Sequence, residues 1–181
     1  MRCFEYKFIQ NFLSGFESNS IELRMLYRFR AISSKQLYLV WIDRCIHNVY
    51  VIKFHLKNHR NSKRKYNILT NLHEPRDVVY TCINILMNEI YAHDKYASFG
   101  FVAANLESEE SRKNTKRLHF YEMIITTFIG SEAFNHYIYD ENSAYLLIPK
   151  ITIEKYPSIE KDIMDLFQEH DFIEEDDDQR L

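Results

Sequence analysis

Ile21-Glu22-Leu23-Arg24-Met25-Leu26-Tyr27-Arg28-Phe29-Arg30-Ala31 is the stretch that decides the fold class. Ile21, Leu23, Met25, Tyr27 and Phe29 fall on one face of an extended chain, with Glu22, Arg24, Arg28 and Arg30 on the other. A period of two is the mark of a half-buried strand. Ser33-Ser34 breaks it. Residues 36–42 and 48–56 then read as two further strands, separated by Asp43-Arg44-Cys45-Ile46-His47. Three strands with short connections make an antiparallel meander. Upstream, residues 1–17 carry many aromatics, and Gly15 with Glu17-Ser18-Asn19-Ser20 marks a turn.

Downstream the period changes. A short strand is expected at 66–69. Pro75 then opens a helix to about His93, since proline suits a first helical position where its missing N–H would be unpaired anyway. Val79, Ile83, Leu86 and Ile90 supply the apolar stripe of that helix. A strand at 98–104, a second helix at 111–129, strands at 135–139 and 144–148, and a last helix after Pro157 follow. In that last helix Ile159, Ile163, Met164 and Phe167 point inward. The expected architecture is a single α+β domain over 1–172, with about three helices packed on a mostly antiparallel sheet. The acidic end, 173–181, reads as a disordered tail.

Composition excludes several functions. With 3 Gly in 181 residues there is no G-x-G-x-x-G and no G-x-x-x-x-G-K-[ST]. A Rossmann dinucleotide site and a P-loop both need such glycines to bring backbone N–H groups onto phosphate. The net charge of −3 argues against nucleic acid as a general partner. Cys3, Cys45 and Cys82 are scattered, without a C-x-x-C, so no disulfide framework or zinc knuckle is expected. His55 and His59 have no third ligand nearby, so no metal site is expected. No apolar run reaches membrane-spanning length. The cytoplasm is the expected location.

Potential chemistry concentrates in Asn114-Thr115-Lys116-Arg117-Leu118-His119-Phe120-Tyr121-Glu122. Leu118, Tyr121, Ile125 and Phe128 form the inward stripe of the second helix. Asn114 and Arg117 continue that stripe one turn earlier. Arginine on an apolar face either reaches water past the core or meets an anion. Arg112, Lys113 and Lys116 crowd the same turns, where cations oppose the helix dipole and attract phosphate or carboxylate. Local pairing with Glu107, Glu109 and Glu110 is the alternative.

The pattern Asn114-x-x-Arg117-x-x-x-Tyr121-Glu122 after a strand resembles the late helix of the GCN5-related N-acetyltransferase family. The resemblance implies an acetyl-CoA site bordered by that strand and helix. It makes Tyr121 the candidate acid that protonates a leaving thiolate, and Asn114 a candidate CoA contact. It also implies a cleft at the start of the helix, formed by splayed strands. Departures are plain. Arg117 stands where the family has a small residue, Ile125-Thr126 stands where it has Gly-Phe, and Asn71-Leu72-His73-Glu74-Pro75-Arg76 lacks the glycines of its pyrophosphate loop. The reading is an acyltransferase-like domain binding a CoA-type or other anionic ligand through Lys113, Asn114, Lys116 and Arg117, catalytic or degenerate.

Two alternatives stand beside it. One is a non-catalytic interaction module of antitoxin, immunity or regulatory type, with a protein partner or a second copy of the chain. The other is a nucleic-acid-associated protein that uses the basic loop 57–65, with Lys63, Arg64 and Lys65 on the backbone and Phe54 and Tyr66 stacking on bases.

Overall fold

The alternation at 21–31 becomes β2 (Ile21–Arg30), and its neighbours become β3 (Leu37–Cys45) and β4 (Val49–Leu56). In the computed structural model, which describes residues 1–13, 19–66, 74–104 and 115–170, these three strands pair antiparallel as a meander. β3 and β4 are buried along nearly their whole length, because both faces of the sheet are covered. The polar face expected of β2 is therefore interrupted, with Arg24 buried while Glu22, Arg28 and Arg30 stay exposed.

Among the described residues the sheet has seven strands, in the order β1-β2-β3-β4-β5-β7-β6. β1 (Tyr6–Phe12), where the sequence showed only aromatics before a turn, lies on the outer edge against β2. The expected turn around Gly15 lies outside the described residues. β5 (Ser98–Val102) runs parallel to β4, whereas every other pair is antiparallel. β6 (Phe134–Tyr139) and β7 (Ala144–Pro149) form a hairpin, and β7 inserts next to β5. The expected α+β class with a mostly antiparallel sheet is what the chain adopts.

Helix α1 (Pro75–Ile85) begins with Pro75 in its first turn and passes into a π-helical turn, Leu86–Tyr91. Helix α2 is Lys116–Phe128, followed in chain order by α3 (Lys150–Lys155) and α4 (Ile159–Glu169). α3, a six-residue helix between β7 and Pro157, was not foreseen from the sequence.

α1 and α2 cover one face. Val79, Ile83, Leu86, Leu118 and Ile125 pack there on Val40, Ile42, Ile52, Phe99 and Leu147. α4 covers part of the other face, where Ile159, Ile163, Leu166 and Phe167 meet Val49, Val51, Leu146 and Ile148. Met164, expected inward, is only half-buried. Among the described residues no helix is long and apolar enough to cross a membrane.

The entry to α1 is held from a distance. The Glu74 carboxylate accepts from the backbone N–H groups of Ser33 (2.9 Å) and Ser34 (2.7 Å), in the turn between β2 and β3. Burial pushes this carboxyl upward, but the hydrogen bonds from Ser33 and Ser34 outweigh it and leave its pKa lowered. A carboxyl whose folded pKa is depressed adds stability above its unfolded pKa, near 4.3 for Glu, and loses it as pH falls through the folded value. Glu74→Gln is expected to cost about 1 kcal/mol at neutral pH. In urea unfolding, the gap to the native chain should close as pH falls below about 4.

Candidate functional site

Thr115 caps α2, its hydroxyl accepting from Leu118 N–H (3.3 Å) while its own N–H donates to Ser143 Oγ (3.0 Å). Ser143 adopts a left-handed conformation at the β6–β7 turn, and its carbonyl accepts from Ala103 N–H just past β5. The start of α2 is thus bolted to the ends of β5 and β7. It stands where the parallel pair comes apart. Pairing between β4 and β5 runs from Val49–Ser98 to Ile52–Phe101, while β4 continues to Leu56.

Past the last paired residues, buried side chains gather on Tyr66. Lys53 Nζ lies 5.9 Å from the Tyr66 ring centre and Lys65 Nζ 5.4 Å. His55 meets the same ring edge-on at 5.4 Å. The Arg117 guanidinium donates to the Tyr66 carbonyl and, at 3.5 Å, to the Ala104 carbonyl. So Arg117 neither projects into water nor lacks acceptors. It ties the end of the basic loop and the strand after β5 to α2.

Behind Tyr66 lies a charge cluster on the sheet itself. Asp43 is fully buried and accepts from Arg24 through both oxygens, at 2.5 and 3.0 Å, with Lys53 Nζ 3.1 Å from Oδ2. The register explains the triad. Arg24 is directly opposite Asp43, and Lys53 is one diagonal step away on β4, two residues past the Asp43 partner Val51. His55 completes the row. An indole N–H only donates, so Trp41 Nε1 at 3.4 Å fixes His55 Nε2 as acceptor, and Nδ1–H donates to the Leu56 carbonyl at 2.9 Å.

Tyr121 lies on the opposite face of the sheet from Tyr66. It is half-buried, with its ring 6.2 Å from Phe54 on the part of β4 that has left β5. Burial pushes its phenol up to about 12; nearby Arg117 pulls it down and Cys82 pushes it further up. A phenol so placed stays protonated and gives up its proton to a thiolate less readily than an ordinary tyrosine does.

Lys113 and Asn114 lie outside the described residues. Lys116 is exposed on the first turn of α2. His119 is exposed, 3.7 Å from Glu122. Phe128, expected inward, is 38% exposed and stacks on Tyr80 instead.

The basic loop folds into successive turns that include a 3-10 segment, Lys57–His59. Lys63 and Arg64 face solvent, but Lys65 is only 6% exposed and turns inward to Tyr66. Tyr66 belongs to a turn rather than to the start of a strand, and residues 67–69 lie outside the described ones. Phe54 and Tyr66 sit on opposite faces of the sheet, so they cannot clamp one base between them.

Sequence reasoning missed Arg24, Asp43 and Lys53 as a unit. The available signal was Lys53 itself, a lone cation within the apolar run Val49-Tyr50-Val51-Ile52 and Phe54. Among the described residues no group of three or more His, Cys, Asp or Glu side chains is placed to hold a metal ion. No protein-family model, no curated protein and no solved structure matches this chain.

Proposed function

We propose that the chain is an acyltransferase-like domain that holds a CoA-type or other anionic ligand at the opening between β4 and β5, beside the first turns of α2. The observation that carries this reading is the convergence of Lys53, Lys65 and Arg117 on Tyr66 where the two strands part. A phosphate or carboxylate there gains from charge-assisted hydrogen bonds in a partly desolvated setting. The order strand, opening and helix, with Tyr121 five residues into α2, agrees with the family resemblance. The high pKa of Tyr121 and the missing glycine loop favour ligand binding with weak or absent acyl transfer.

The test is the melting temperature with acetyl-CoA, free CoA and ATP. A ligand at about 100 times its dissociation constant adds about 2.7 kcal/mol. For a chain of this size that is a rise on the order of 5–10 °C. CoA species are expected to give such a rise at millimolar concentration, reduced in Lys116→Ala. An equal rise with ATP would replace the CoA reading by a general anion site. No rise with any of the three overturns both.

A second reading has its own observation. β1 is an edge strand exposed along most of its length, with Phe8 50% and Ile9 37% exposed. Exposed apolar edge strands are pairing surfaces for another chain. A non-catalytic interaction module is the reading that survives if no anion shifts the melting temperature.

A further inference from the structure

An open groove of about 620 Å³ lies between the π-helical turn after α1 and the C-terminal end of α2. That volume falls within the ordinary range for small-molecule sites. Tyr80 and Phe128 form an aromatic wall with ring centres 4.2 Å apart, and Met87 of the π-turn lies beside them. π-turns inside helices are frequent at functional sites.

The charge of the groove is of one sign. Glu132 lines it and has no hydrogen-bond or ion-pair partner among the described residues. Asn84 uses one N–H of its amide on the Tyr80 carbonyl (2.8 Å), which leaves its oxygen as an acceptor beside one remaining N–H. The last carbonyls of α2 end here, and α2 has no basic residue in its last turn to offset the negative end of the helix. Among the described residues no lysine, arginine or histidine lines the groove, and the hydroxyls of Tyr80 and Ser131 can each accept as well as donate.

Aromatic faces, one carboxylate and a surplus of acceptors select for a positively charged donor with an apolar body. We propose that this groove binds a small organic ammonium ion. The thirteen residues of α2 put it about 18 Å from the start of that helix, so the proposal stands or falls apart from any ligand at the β4–β5 opening.

The test is calorimetric titration of the full chain with benzylammonium, benzyl alcohol and benzoate. Benzylammonium is expected to bind at least about fivefold more tightly than benzyl alcohol, with benzoate not binding. Glu132→Gln should weaken benzylammonium by a similar factor and leave benzyl alcohol unchanged. Gly130→Leu should abolish binding without lowering the melting temperature, because a Cβ at Gly130 meets nothing within 4 Å and the longer side chain can fill the groove. Equal affinity for the alcohol and the ammonium ion overturns the proposal. So does unchanged ammonium binding in Glu132→Gln or Gly130→Leu, or an absence of ammonium binding at tens of millimolar.

Discussion

Asp43→Asn is expected to cost about 3–5 kcal/mol in urea unfolding. The loss comes mainly from what remains. Arg24 and Lys53 are 5% and 4% exposed, and the substitution strips both of the carboxylate that they share. Two buried cations then face a neutral amide in place of the charge they share, at a cost in desolvation. Arg24→Met or Lys53→Met alone should cost clearly less, because the other cation still neutralises Asp43. The triple replacement Arg24→Met, Asp43→Leu, Lys53→Met is the decisive control. Buried ion clusters exchanged for apolar groups of similar volume are often neutral in stability, so it should recover most of the loss. If Asp43→Asn is within about 1 kcal/mol of the native chain, the triad does not organise the sheet centre.

Gly100→Ala is expected to destabilise by about 1–3 kcal/mol, although alanine suits a strand better than glycine does. The reason is one contact. A Cβ on Gly100 would lie 2.4 Å from Phe167 Cζ, on the ring that α4 lays against β5. Glycine is present there for close approach, since its backbone is not in the left-handed region. The loss should be coupled to α4. Phe167→Leu removes the ring atoms in the way, so the double variant Gly100→Ala, Phe167→Leu should be more stable than the sum of the single losses predicts. Strict additivity would mean that α4 does not sit on this strand as described.

The meander was legible because half-buried strands alternate and turns punctuate them. Its limits at 21–31, 36–42 and 48–56 differ by a few residues from Ile21–Arg30, Leu37–Cys45 and Val49–Leu56. β1 was not legible as a strand, because an exposed edge strand carries no burial period. The parallel neighbour of β4 was not legible either, since it depends on how α1 carries the chain across the sheet.

At the candidate site, Arg117 was visible as a cation on an apolar stripe. Its acceptors were not, because Tyr66 and Ala104 are 51 and 13 residues away in the chain. Tyr121 was readable as core or as site. Its half-buried ring, packed on Phe54 beside the opening, has something of each.

The single parallel pairing divides the sheet into two antiparallel blocks, β1–β4 on one side and β5, β7 and β6 on the other. Among the described residues ladder hydrogen bonds join the blocks along Val49–Ile52, and parallel bonds are slightly weaker per residue than antiparallel ones. The core beneath α1 and α2 draws on both blocks and acts as a clasp across the seam. The blocks are natural units of partial opening, each with its own ladder intact. The sheet's seam and the place beside α2 where β4 outlasts β5 coincide, so a ligand held there would also restrain how freely the two halves move against each other.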